Sequence, residues 1–396
     1  MKFFSLKFYI RIFWLAYKEL EAIIFGRIQE VSIHNHTDIK IKKIYPANNF
    51  HMPPLRDIDG NQNVTSYNAT VPQANVLTVN NGFFIPGREE IYTSDFKVLK
   101  EITVQKKNPQ TGKSKKKLLK YKKLNGRVLS LSLNGVERNY FHFTIENLAR
   151  WHLFKMSGLD YDYIDFDKSN KFLKQYIDII GIPKEKLIPE SYYKGAIKAD
   201  LLIVPGLINN WEYFEMPHGK LHYMKQHIPN WFNKVHEVFR NKSEVSERIY
   251  VSRAKADRRR IVNEKDVINL VNKYGFNVYN MEDLSVNEQI SLFNKAEIVI
   301  VTNGAAAANL VYCSNPFTFL EIFPQNYFDS NLRILAQVLK CEYHYVIAKC
   351  PQNTDTDPQK EDLYLDCKKL EKWLIKFAAV DEVKNYLYKS NETKSS

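Results

Sequence analysis

Three side chains at a four-residue repeat, His142, Glu146 and Arg150, carry the first chemical signal in this chain. On a helix they share one face, an imidazole, a carboxylate and a guanidinium one turn apart. An imidazole oriented by a carboxylate can take the proton of a hydroxyl near neutral pH. The same spacing describes an ordinary ladder of charged pairs on an exposed helix, and spacing alone leaves both readings open. A second signal is a cationic, glycine-containing set: Ser252-Arg253, Thr302-Asn303-Gly304 and Glu321. Arginine suits bidentate contact with phosphate. A helix opening after Gly304, in the run Ala305–Ala308, would aim free N–H groups at an anion. The bland alternative for Arg253 is a surface salt bridge. Arg258, Arg259 and Arg260 cannot all face one ligand, and most of them are expected in solvent.

The elements that must place these residues are legible between Arg248 and Pro324. Ile249–Val251, Phe276–Tyr279, Ile298–Val301 and Thr318–Phe323 read as buried strands, with helical spacing between them. Asn263 reads as the cap of a helix over Val267–Tyr274, closed by Gly275. Ser285 and Glu288 have the spacing of a capping box. Such alternation implies α/β architecture with a parallel, doubly wound sheet, whose ligands bind at the carboxyl ends of the strands. The cationic set stands at those ends. The His142 segment follows an apolar run, Val128–Leu133, and a turn at Asn134-Gly135. Past Pro324, Asn331–Leu339 reads as a helix, Glu342–Ile347 as a strand and Pro351–Asp362 as a polar loop. Leu363–Tyr388 reads as one or two amphipathic helices, and Asn391–Ser396 should fray.

A chain of 396 residues suggests two domains. At 44% hydrophobic and 26% charged it is globular. Its four cysteines form no C-x-x-C pair and join no histidine cluster, so neither a metal site nor a disulfide framework is expected. The net charge of +13 is concentrated in Lys100–Arg127, where KSKKKLLKYKK follows a turn signal at Asn108-Pro109-Gln110-Thr111-Gly112. The block suits a solvated loop, or a surface for anionic headgroups or an acidic acceptor. No recognition helix, zinc finger or stacking platform accompanies it, so nucleic acid is not an expected partner.

The first 25 residues are apolar, aromatic and basic. Their longest uncharged stretch, Ile12–Tyr17, is far short of the ~20 residues of a spanning helix. No small-residue cleavage site follows, which argues against a signal peptide. Lys7, Arg11 and Lys18 share a narrow helical face. The segment suits an interfacial helix on a membrane, or a terminal helix docked on the protein's own core. The expected location is cytoplasmic, with peripheral attachment through residues 1–25 and the basic run 113–123.

Tyr140-Phe141-His142, with Glu146 and Arg150, resembles the Y-F-H-W-x-x-D-x-x-P-R segment of glycosyltransferase family 61. Phe172 to Pro183 resembles the family's L-L-x-x-L-G-I-P element. Ile249 to Lys255 is similar to I-Y-I-S-R-x-x-A/K, and Arg259 to Glu264 to the R-R-x-(I/L)-x-N-E that follows it. Glu282 to Gln289 is similar to E-x-L-S-x-x-E-Q, and Asn303 to Asn309 to H-G-A-A-L-x-N. The resemblance runs in order from about Val128 to Pro324. Two departures stand out. Asn303 replaces the family's usual histidine; it can hydrogen-bond a phosphate or hydroxyl but cannot shuttle a proton. Glu146 replaces its aspartate and moves the carboxylate by one methylene.

The resemblance implies a GT-B architecture, two Rossmann-like doubly wound domains facing a cleft. It further implies inverting, metal-independent transfer from a nucleotide-sugar, a UDP-sugar favoured, to a glycan or polysaccharide acceptor, with no cofactor. Residues 1–25 would be a surface helix, 26–245 the acceptor-side domain, 246–350 the nucleotide-sugar domain, and 351–396 a tail packing back on the first domain. His142 and Glu146 would be catalytic. Arg253, Lys255, Asn303, Gly304, Ala305 and Glu321 would hold the donor, with Arg150, Ser252, Arg259 and Asn309 in support. The alternative is a non-catalytic protein on a decayed transferase fold, binding polyanions or a membrane surface.

Overall fold

The structure is a computed structural model that describes residues 6–64, 66–88, 90–102, 113–132, 135–206, 210–215, 221–226, 232–240, 247–314, 316–325, 327, 331–351 and 360–379. The turn expected at 108–112, Asn134, most of the loop 351–362 and the tail after 379 lie outside them. The chain forms two compact units, residues 1–46 with 73–207 and residues 47–72 with 208–396.

The first unit is built on a nine-stranded mixed sheet. Helix α1 (Leu6–Phe25) precedes strand β1 (Ile39–Tyr45), β2 (Ala74–Asn80), β3 (Tyr121–Ser130), β4 (Tyr163–Asp165) and β5 (Ala196–Pro205). β3 pairs in parallel with β4, Ser130 opposite Asp165, and with β5, Val128 opposite Leu202. A long helical segment and α3 (Lys171–Ile179) supply the crossovers. The rest is largely antiparallel: β2 on β5, β1 on β2, and short strands such as Phe83–Phe84 and Ile91–Tyr92. The doubly wound expectation is therefore corrected for this unit. Parallel pairing needs a crossover of a dozen or more residues, which the short connection between Phe83–Phe84 and Ile91–Tyr92 does not provide. Leu77, Val79, Val128, Ile197, Leu202 and Val204 share its core.

The second unit meets the expectation. Strands β6 (Glu247–Val251), β7 (Asn277–Tyr279), β8 (Ala296–Thr302), β9 (Thr318–Pro324) and β10 (Glu342–Ala348) form an all-parallel sheet in the order β7-β6-β8-β9-β10. Helices α4 (Glu264–Lys273), α5 (Val286–Asn294) and α6 (Asn331–Leu339) lie in the crossovers. Ile298, Ile300, Leu320 and Ile322 pack on Val267 and Val271 of α4 and on Leu370 and Trp373 of α7 (Cys367–Phe377). So α7 completes this unit's own core, where the tail was expected to return to the first domain. Its apolar residues recur at helical spacing, and the exposed face of the neighbouring sheet offers them the nearest burial.

Local signals vary in outcome. Ser285 and Glu288 form the expected capping box. Asn263 stands just before α4, but its side chain bonds both main-chain groups of Leu365, at 2.8 and 3.1 Å. The run after Gly304 is a 3-10 helix, Ala305–Tyr312, rather than an α-helix. Residues 47–72, assigned from sequence to the first domain, form two small antiparallel pairs within the second unit. Ile58 N donates to Tyr345 O at 3.1 Å, Leu55 packs by Phe323, and Asp59 pairs with Lys369.

Candidate active site

In the first unit, Asn139 caps the helical segment, its side chain accepting from Phe141 N at 2.9 Å. The segment begins as α-helix at Tyr140–His142, widens to a π turn at Phe143–Asn147, and continues as α2 (Leu148–Ser157). A π turn holds one residue more than an α turn and often marks a functional position. Tyr140 stacks edge-on against Phe172 of α3, and Phe143 against Phe166, which fixes the opening turns on the body of the unit. Across this turn His142 Nδ1 and Glu146 Oε1 lie 2.7 Å apart. Glu146 is buried while the imidazole is half-buried.

Arg150 has a different place. It is 1% exposed. Its guanidinium donates to the main-chain oxygens of Leu131 at 2.7 Å, Pro205 at 3.1 Å, Ser130 at 3.2 Å and Ser132 at 3.4 Å. These oxygens stand at the carboxyl ends of β3 and β5. The exposed ladder is thus overturned: the widened turn and the burial of this helix carry Arg150 round onto the strand ends. Asp165, at the end of β4, is wholly buried and accepts from Gly87 N at 3.3 Å. Burial pushes its carboxyl up to about 6, against the opposing pull of the Ser132 and Tyr193 hydroxyls and Gly87 N–H. Sequence reading passed it over, because an aspartate ending a short strand has no distinctive spacing.

In the second unit the chain reverses direction across the sheet between β6 and β8. That is the topological switch point where open α/β sheets bind ligands. Ser252-Arg253 follow β6 and Asn303-Gly304 follow β8 there. Ser252 is buried, with its N–H on Tyr279 O at 2.9 Å. Arg253 Nε and Nη2 donate to the carbonyl of Arg258 at 3.3 and 2.9 Å. No carboxylate among the described residues lies within ion-pair distance of Arg253, so it is not a surface salt bridge. Burial, then Arg259 and Arg258, push its guanidinium down to about 10. Positive charge is being crowded there, the setting that an incoming anion relieves. Gly304 has an extended backbone that any residue adopts. A Cβ there would meet Nη1 of Arg253, so any side chain at this position would displace the guanidinium.

Beside this pair runs a buried chain of hydrogen bonds. Arg259 Nη1 donates to Asn303 Oδ1 at 2.6 Å, and Asn303 Nδ2 donates to Glu321 Oε1 at 2.8 Å. Tyr343 OH donates to Glu321 Oε2 at 2.8 Å. Glu321 is fully buried, and Arg259 reaches inward from the left-handed region, φ 55°. Tyr343, Glu264 (which accepts from Arg253 N at 3.4 Å) and the Arg258 carbonyl were missed, because each acts through a non-local contact. Ala305 opens the 3-10 helix and is half-buried beside the same strand ends. Other candidates are engaged elsewhere. Lys255 is held by Asp283 at 2.5 and 2.7 Å in a half-exposed pair. Arg260 donates from Nη2 and Nε to Oδ2 of Asp362, at 2.7 and 3.1 Å. Asn309 is buried and ties the 3-10 helix to Gln289 of α5 at 2.8 Å.

The chain matches none of the curated proteins searched. Residues 140–320 match the profile of the family described as Glycosyltransferase 61, a stretch that opens on Tyr140 and closes one residue before Glu321. It contains His142, Glu146, Arg253, Asn303 and Gly304, and across it the chain is similar to glycosyltransferase family 61.

Proposed function

We propose that this protein transfers a sugar from a nucleoside-diphosphate sugar to a hydroxyl of a glycan or polysaccharide, with inversion. The division of labour is that of a GT-B transferase: the second unit takes the donor, the first the acceptor. The observation that carries the reading is Arg253, a half-buried guanidinium with no ion pair among the described residues, seated over Gly304 at the switch point of a parallel sheet. Its remaining donors and the N–H groups opening the 3-10 helix meet the diphosphate oxygens as negative charge develops on them. No metal is called on in this reading. The acceptor oxygen forms its bond to the anomeric carbon as the carbon–phosphate oxygen bond breaks. The nucleoside diphosphate leaves with the electron pair. His142 receives the acceptor proton, and Glu146, 2.7 Å from its Nδ1, orients the ring. Asn303, tied between Arg259 and Glu321, fixes the loop that carries Gly304.

Calorimetric titration with UDP, GDP and CDP tests the donor half. Saturable binding of one of them is expected. Arg253→Ala should weaken it by roughly tenfold to more than a hundredfold, the loss of a charge-assisted contact of about 1.5–3 kcal/mol. Gly304→Ala should act in the same direction by displacing the guanidinium. Undiminished affinity in Arg253→Ala would remove the assignment, and absence of binding by the unmodified protein would favour a non-catalytic role.

A further inference from the structure

From Ile10 onward helix α1 is largely exposed. Ile10, Phe13, Trp14, Leu15, Leu20, Ile23 and Ile24 all face solvent, Phe13 and Ile23 at 68%, and among its described side chains only Ala22 is buried. Phe13, Tyr17, Leu20 and Ile24 recur at the four- and three-residue steps of one helical face. The described contacts that fasten the helix lie in its carboxyl half, from Tyr17 onward. Lys116 Nζ meets Glu21 at 2.8 Å, Ser114 Oγ donates to Glu21 O at 3.3 Å, and Lys115 N to Gly26 O at 3.0 Å. The docked terminal helix read as one option from sequence is therefore not what this segment forms.

The same fastening brings the basic run beside the apolar helix. The short helix Lys116–Leu119 exposes Leu119 and, just after it, Tyr121, which extend the apolar surface. Lys113, Lys117 and Lys120 are exposed around them, and Arg11 and Lys18 are exposed on α1 itself. Glu19 is paired with Arg27 and Glu21 with Lys116, so the nearby acids are already neutralised. A contiguous apolar surface of this extent is rare on a monomer without a partner. Among the described residues no helix is long and apolar enough to cross a membrane.

We propose that α1 and the basic run 113–123 form a surface that lies on an anionic lipid bilayer. The apolar side chains enter at headgroup depth, and the lysines and arginines meet the phosphates. Trp14 and Tyr17 suit that depth, since each joins an apolar ring to a polar tip. Charge complementarity selects this occupant over a second copy. The exposed Lys113, Lys117 and Lys120 stand beside the fastened end of α1 with the nearby acids already paired, so an anionic surface answers charges that an equally basic second copy would repel.

Flotation of the full chain with phosphatidylcholine vesicles, with and without phosphatidylglycerol, tests this. The protein should float with the anionic vesicles, sediment away from the zwitterionic ones and be released by high salt. The combined variant Phe13→Ser, Leu20→Ser, Ile24→Ser should lower partition about tenfold or more. Lys117→Gln and Lys120→Gln should each lower it about fivefold at low salt. Because these positions are exposed, circular dichroism and the melting temperature should not change. If the serine variant failed to fold, the lysine variants alone would decide. Equal flotation of all variants would overturn the proposal. So would a wild-type oligomer that the serine variant dissolves without any flotation, which would assign the face to a second copy.

Discussion

Arg150 and Arg253 occupy comparable positions, one in each unit, both at the carboxyl ends of parallel strands. Arg150 is fully buried and meets four main-chain oxygens from β3, β5 and the residues after β3. Among the described residues the Arg253 guanidinium is held by one carbonyl, that of Arg258, and it stands beside two other cations. The first arrangement discharges the guanidinium's donors on the protein itself and fastens strand ends. The second leaves positive charge crowded at the place where a ligand would sit. Residue type and position along a strand do not separate a structural arginine from a ligand-binding one; the partners of its N–H groups do. The units differ in chemistry in the same sense. The first keeps an imidazole–carboxylate pair on a widened helical turn, fit for moving a proton. The second offers charge and close backbone approach, fit for holding phosphate.

The largest effect should come from the proton-handling side. His142→Ala and Glu146→Gln should each lower turnover about 10²–10⁴-fold, roughly 3–5 kcal/mol, with nucleoside diphosphate affinity intact. Steady-state kinetics beside calorimetry measures both, and the larger fall identifies the base. Near wild-type transfer by both variants would return this pair to a purely structural role. Next in size, Arg150→Met should cost stability and not donor affinity. It strands several buried carbonyls, a loss of about 3–4 kcal/mol that urea denaturation can read. Arg253→Ala should do the reverse, leaving the denaturation midpoint nearly unmoved. If both arginines changed the same observable, the contrast between them would fail.

The smallest effect is a pH dependence confined to the first unit. The folded Asp165 carboxyl holds its proton up to about 6, against 3.8 as the ordinary value. Between those values the folded state binds more protons than the unfolded, so stability falls as pH rises through that window. The loss is ~2–3 kcal/mol and complete above the folded value. Asp165→Asn cannot ionise and should be relatively more stable at pH 8 than at pH 5. Parallel stability curves for the two proteins would show that this carboxyl does not titrate across the window.

Much of the second unit was legible because its signals are local. Strand–helix alternation, the capping box at Ser285 and the cationic set at the strand ends all depend on residues close in sequence. The first unit was less so. Short strands such as Phe83–Phe84 carry too few residues to show alternation, and the mixed pairing of the sheet joins segments far apart in sequence, such as β2 and β5. Asn263 shows the limit within a correct element. Its position before α4 was legible, but its hydrogen bonds go to Leu365, about a hundred residues away.

By itself the sequence determined that a parallel α/β unit exists over 248–324, where its strands end, and which cations and glycine stand there. Those features rest on periodicity and on hydrogen bonds between near neighbours, which composition encodes directly. It also determined that His142 and Glu146 lie one helical turn apart. Only the tertiary structure decided that Arg150 turns onto strand ends while Arg253 stays without an ion pair. It alone showed that a side chain at Gly304 would displace the Arg253 guanidinium, that residues 47–72 join the second unit, and that the described part of α1 from Ile10 onward stays largely exposed. Each of these depends on which distant segment supplies the neighbouring atoms, and burial sets those neighbours through the packing of the whole unit rather than through any local pattern.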